Sequence, residues 1–108
     1  MNLTERLDKH LQSIKEQENY IEQIDRFCKK LGFTKGKKLI LDPVHTYTNF
    51  NKGNYNHQIV YDAGDKVISY EIYKLDSDKP FDKFEWKVYN NNLNNIFKEI
   101  KKELDGHE

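Results

Sequence analysis

The sequence predicts an α+β domain in which an antiparallel sheet of four to five strands is flanked by a long N-terminal helix and a C-terminal helix, in the order α-β-β-β-β-α. Three observations carry this. Apolar residues recur at three-, four- and seven-residue spacings at both ends of the chain, between Leu39 and Tyr89 they alternate with polar ones at the period of a half-buried strand, and no helical pattern intervenes between the strand segments. Parallel strands need crossover helices, so the strands form an antiparallel meander covered by the two terminal helices.

In the first element Leu3, Leu7, Leu11, Ile14, Ile21, Ile24, Cys28 and Leu31 form one apolar stripe. Asn2 and Glu5 have the spacing of a capping box. Lys29 and Lys30 fall in the last turn, and Gly32 followed by Phe33 predicts a left-handed cap that stops the helix near Leu31. A bend is expected in the polar stretch 16–19. Residues 34–38 read as a connection, 39–41 as a short apolar strand ended by Asp42-Pro43, and 44–50 as a second strand. Asparagine dominates 49–56, which is turn chemistry and predicts an exposed hairpin tip carrying Phe50 and Tyr55. Residues 57–61 and 67–73 flank Asp62-Ala63-Gly64-Asp65, where Gly64 is expected to supply a positive φ. After an acidic loop, Phe84, Trp86 and Val88 alternate with Lys83, Glu85 and Lys87. Asn90 to Asn92 can cap a final helix whose Leu93, Ile96, Phe97, Ile100 and Leu104 form a second stripe ending at Gly106.

With 108 residues the chain has room for a single α+β domain spanning 1–108. Charged residues reach 33%, yet 13% are aromatic, enough large side chains to build a core. Eighteen basic residues balance eighteen acidic ones, which removes any global electrostatic argument for nucleic acid or an anionic membrane. The imbalance is local: residues 1–54 carry +3 and 55–108 carry −3, with the basic excess in Arg26, Lys29, Lys30, Lys35, Lys37 and Lys38 and the main acidic cluster in Asp76, Asp78 and Asp82. One cysteine cannot form an intramolecular disulfide, the N-terminal residues lack the apolar run of a secretory signal, and no stretch is long enough to span a bilayer, so a cytoplasmic location is expected.

No catalytic or metal-binding spacing is present, and no cofactor is expected. The acids of 76–82 are spaced like part of a calcium loop, but Phe81 stands where the turn needs glycine and Lys87 where a bidentate glutamate belongs, which leaves an acidic turn. His45 and His57 lie on neighbouring strands with Asp42, Asp62 or Asp65 as third groups for a metal or acid/base site, though without the usual His-His spacing, and a small hydrolase built on them is the third-ranked reading. Cys28 has cationic neighbours that would lower its pKa, but its place on the apolar stripe points to core packing.

Two binding readings remain. Seven tyrosines exceed what a small core readily satisfies, because each buried hydroxyl needs a partner. An exposed set of Tyr47, Phe50, Tyr55, Tyr61 and Tyr73, with Asp76, Asp78 and Asp82 to meet a basic surface, would form a face for a partner protein. The alternative is RNA or single-stranded DNA held by Lys29, Lys30, Lys35, Lys37 and Lys38, with Phe27, Phe33, Tyr47, Phe50 and Tyr55 as stacking platforms. Size, the missing catalytic groups, aromatic and charged surface potential and a composition rich in residues with A/T-rich codons give the chain a general resemblance to small cytoplasmic inhibitor proteins, such as immunity proteins that neutralise bacterial toxins or phage proteins that block host enzymes. That resemblance implies a non-enzymatic partner-binding role, the first reading. Oligomeric state is left open.

Overall fold

The heptad-spaced stripe of the first segment forms one helix, α1 (Leu3–Lys30), about 42 Å long at about 1.5 Å per residue. The computed structural model describes residues 3–36, 43–49, 54–75, 77–89 and 91–106. The expected strand 39–41 and the capping residues Asn2 and Asn90 lie outside these. Helix α1 runs unbroken through residues 16–19, where the polar run predicted a bend. Its end is the predicted left-handed cap: Gly32 has φ +86°, its N–H donates to the Lys29 carbonyl at 3.0 Å, and the Phe33 N–H donates to the Cys28 carbonyl at 2.9 Å. A Cβ at Gly32 would meet only Asn49 Nδ2 at 3.7 Å, so glycine is required by the backbone and not by crowding. Gly32→Ala is therefore expected to cost about 1 kcal/mol, read as a lower urea midpoint with unchanged slope; an unchanged midpoint would contradict this account of the helix stop.

The cap turns the chain back along the sheet, and this has a consequence the sequence did not reveal. Residues 34–38 read as a connection, but Thr34–Lys35 is a strand, β1, pairing antiparallel with β2 (Val44–Asn49) through Thr34↔Thr48 and Lys35↔Tyr47. Then follow β3 (Tyr55–Asp62), β4 (Val67–Lys74), β5 (Asp82–Lys87) and α2 (Leu93–Gly106). All pairings are antiparallel and the spatial order equals the chain order, β1-β2-β3-β4-β5. The α+β expectation is met, with five strands among the described residues.

The β3–β4 hairpin closes differently from expectation. Lys66, not Gly64, takes the positive φ, +56°. The Asp62 carboxylate accepts the N–H groups of Gly64 at 2.9 Å and Asp65 at 3.3 Å, and a Cβ on Gly64 would lie 3.2 Å from that carboxylate oxygen. Glycine is placed here for close approach to an Asx turn. Asn92 also departs from the helix-capping role: its side chain accepts the Tyr89 N–H and donates to the Lys87 carbonyl, both at 2.7 Å, fastening the end of β5 to the start of α2.

Strand alternation sorts the sheet into two faces. His45 and Tyr47 of β2, His57, Ile59 and Tyr61 of β3, and Ile68, Tyr70 and Ile72 of β4 point to the helices and are buried. Tyr20, Ile24 and Cys28 of α1 and Leu93, Ile96, Ile100 and Leu104 of α2 cover them, and Phe27 stacks on Phe97 between the two helices at 4.1 Å. The first half of α1 is not covered: Leu3, Leu7, Leu11 and Ile14 are 72, 54, 55 and 41% exposed. This overhang makes the molecule long, 55 × 28 × 22 Å.

Candidate functional site

Three tyrosines of the sheet are buried, Tyr47, Tyr61 and Tyr70, and the first two were expected on the surface. Tyr47 and Tyr61 are 2% and 0% exposed, which corrects their placement in an exposed aromatic set. Their hydroxyls find acceptors on α1, in the gaps of its apolar stripe. Tyr47 donates to the Asp25 carboxylate, which also pairs with Lys35 at 3.2 Å, and Tyr61 donates to Gln17 Oε1 at 2.8 Å while Gln17 Nε2 donates to the Ala63 carbonyl at 3.1 Å. Tyr70 Oη lies 2.6 Å from His57 Nδ1. Burial raises the pKa of Tyr47 and of Tyr70, helped by the carboxylates of Asp25 and Glu103 respectively, and pushes Tyr61 up to about 12. Polar residues at helical spacing thus satisfy an aromatic core layer.

His45 and His57 do not form one site. In the β2–β3 register His45 faces Tyr61, four residues along β3 from His57, a separation of about 13 Å at the usual strand rise. Among the described residues no group of three or more His, Cys, Asp or Glu side chains is placed to hold a metal ion. Burial, then Asp25, pushes the Cys28 thiol up to about 12, so burial outweighs its cationic neighbours and the thiol stays protonated at neutral pH.

The opposite sheet face carries no helix among the described residues. Its rows run Thr48, Gln58, Glu71, Lys83 and Thr46, Val60, Ser69, Glu85 across β2 to β5, with Asn56 opposite Tyr73 at one end. At that end Asn56, Gln58, Tyr73, Ser77 and Asp78 line a shallow hollow of about 300 Å³. Tyr73 is held in place: its hydroxyl donates to the Glu71 carboxylate, which with partial burial pushes its pKa up to about 12. Lys83 lies 3.7 Å from Glu71 and 3.1 Å from Glu85, and hydrogen bonding to Glu85 followed by the charges of both acids raises its pKa. The loop before β5 is shaped by Ser77, whose N–H donates to the Lys74 carbonyl at 3.1 Å and whose hydroxyl accepts the Lys79 N–H at 3.3 Å. Asp78 sits in this turn, exposed at the rim of the hollow.

Of the residues expected to bind a partner, the structure brings Tyr73 and Asp78 together. Tyr55 lies at the same end but on the helix side, half-buried and stacked on Phe81 at 5.8 Å. Asp82 pairs with Ile72 and so shares the helix-side parity, its carboxylate accepting the Lys83 N–H at 2.9 Å, which sets it apart from Asp78 in the turn before β5. Phe50 and Asp76 lie outside the described residues. Asn56, Gln58, Glu71, Ser77 and Lys83 were not singled out from the sequence, although the strict alternation through β3, β4 and β5 places all the strand members on the open face.

The basic stretch is dispersed. Lys29 and Lys30 are exposed in the last turn of α1, Lys35 is paired with Asp25, and Lys37 and Lys38 lie outside the described residues. Phe27 and Phe33 pack in the core, Tyr47 is buried, and none of these three is a free stacking platform. A hollow of about 400 Å³ does lie between Lys29, Phe33 and Lys35, but Asp25 is in its wall. No helix is long and apolar enough to cross a membrane among the described residues. Comparisons with protein-family models, curated proteins and solved structures find no match to this chain.

Proposed function

We propose that this chain is a small non-enzymatic protein that binds a partner protein at the Tyr73 end of its open sheet face, in the manner of an inhibitor or immunity protein acting in the cytoplasm. One observation carries the reading: an aromatic ring, fixed by its hydrogen bond to Glu71, stands beside the exposed Asp78 on a face that no helix covers. A rigid tyrosine supplies contact area at small entropic cost, and charge at its rim selects the partner. Glu71, Asp78 and Glu85 stand here against Lys83 and Lys79, a small acidic excess that suits a basic partner surface such as the substrate groove of a nuclease. The nucleic-acid reading has weaker support, since its aromatic platforms are in the core and Lys35 already has an acidic partner.

The test is capture from a lysate of the native host with tagged protein, with and without nuclease treatment. A stoichiometric protein retained after nuclease treatment is the expected result, and recovery of nucleic acid alone would sink the proposal. With that partner purified, Tyr73→Ala and Asp78→Lys should each weaken binding by about tenfold or more while leaving the thermal midpoint within a few degrees of wild type. Equal affinity for both variants would move the interface elsewhere.

A further inference from the structure

The uncovered half of α1 carries four of the seven large hydrophobic residues exposed among the described residues. We infer that it is a homodimerisation arm, pairing antiparallel with the same segment of a second copy of this chain. Leu7 and Ile14 continue the seven-residue spacing of Ile21 and Cys28, so the exposed stripe lies along the side of α1 that faces the sheet farther on. A second helix laid on the stripe therefore enters the layer occupied by the sheet. If that helix ran parallel to α1, its second half would collide with the sheet. Antiparallel, the two arms overlap face to face while each sheet lies beyond the end of the other arm, on opposite sides of the helix pair.

The overlap is self-complementary. Centred between Asp8 and Lys9, the two-fold axis sets Leu3 against Ile14 of the other copy and Leu7 against its His10, twice over by symmetry. The arm has no net charge to oppose this: Glu5, Asp8 and Glu16 balance Arg6, Lys9 and Lys15. Where the arm leaves the body there is a hollow of about 770 Å³ lined by Tyr20, Gly64, Lys66, Lys87, Val88 and Tyr89, with Tyr89 61% exposed. In this arrangement the first turn of the second copy's arm is directed toward this hollow, whose walls are mixed polar and apolar and also include Asp65 and Asn91. Four stripe residues at 41–72% exposure make an apolar patch of a few hundred Å² per copy, which doubled by symmetry approaches the roughly 1,000 Å² of a small specific interface. Weak, concentration-dependent association is the expectation for an interface at this lower size limit.

The experiment is sedimentation velocity of the full chain from low to several hundred micromolar, followed by cysteine cross-linking. The wild type should shift from monomer to dimer across this range, and Leu7→Glu with Leu11→Glu should weaken dimerisation by about a hundredfold or more. A monomer at all concentrations, or a double variant that dimerises like wild type, would overturn the inference. Orientation is read by mixing Leu3→Cys and Ile14→Cys proteins under oxidising exchange. The heterodisulfide should dominate, whereas a predominance of the two homodisulfides would show parallel arms and refute the arrangement. Cys28 is fully buried and does not compete.

Discussion

Truncating Ile100 to alanine is expected to lower the unfolding free energy by about 2–5 kcal/mol, a large share of the roughly 5–15 kcal/mol that holds a domain of this size together. Ile100 has no exposed surface and lies one turn from Ile96 and one from Leu104, in the middle of the buried stripe of α2. The transfer term and the cavity term both apply, since the core cluster around Ile100 is built on both helices and the sheet and cannot fully collapse into the space. The urea midpoint should fall with an unchanged slope, because the native and unfolded surfaces hardly differ. Leu75→Ala, at a residue 55% exposed, is the control and should stay within about 0.5 kcal/mol of wild type. A loss below about 1 kcal/mol at Ile100 would mean that α2 is not docked as described.

Alkaline pH should unfold the protein through its own core. Cys28 titrates near 9.0 in an ordinary environment and Tyr61 near 10.0, and both are pushed up to about 12 by burial. A folded-state pKa above the unfolded one means that the native state holds the proton more tightly. The associated stability is fully present below the unfolded value and is lost as pH rises toward the folded one. Stability should therefore be flat near neutrality and fall between about pH 9 and 12, each of these two groups contributing on the order of 1–3 kcal/mol. Tyr47 and Tyr70, raised further by burial, steepen the decline. Urea midpoints measured from pH 7 to 11.5 test this, and Tyr61→Phe should reduce the slope above pH 10. A midpoint independent of pH up to 11 would contradict the buried state of these groups.

Much of the fold was legible because its periodicities are strong. The stripes of α1 and α2, the Gly32 stop, and the alternation through β3 to β5 each depend on local rules that tertiary packing reinforces. Strand β1 was not legible, since Thr34-Lys35 has no apolar signature and owes its pairing to the direction in which the Gly32 cap sends the chain. The lysine that takes positive φ at the β3–β4 turn was hidden for a similar reason: the Asp62 carboxylate organises the turn through hydrogen bonds that composition alone does not locate.

The candidate site was half legible. Tyr47 and Tyr61 share parity with His45 and Ile59, which marks them as helix-facing, but counting hydroxyls argued for the surface because their acceptors, Asp25 and Gln17, sit in another element. Tyr73 shares parity with Ser69 and Glu71, which puts it half-buried on the open face. Asp82 belongs to β5 while Asp78 lies in the turn before it, a distinction that clustering by sequence number conceals.

Each strand of the meander pairs with the next in the chain, and this bears on how the protein reaches its native state. The β3–β4 turn closes over the four residues 63–66, so the central pairing demands little loop entropy and the sheet can grow outward one hairpin at a time. The contacts between α1 and α2, by contrast, join opposite ends of the sequence. Helix α1 is synthesised first, yet the surface it covers exists only after β4 and β5 have emerged, so its apolar stripe must wait in water while the rest of the chain is made. A fast, local sheet shortens that interval, during which misassociation would compete with folding.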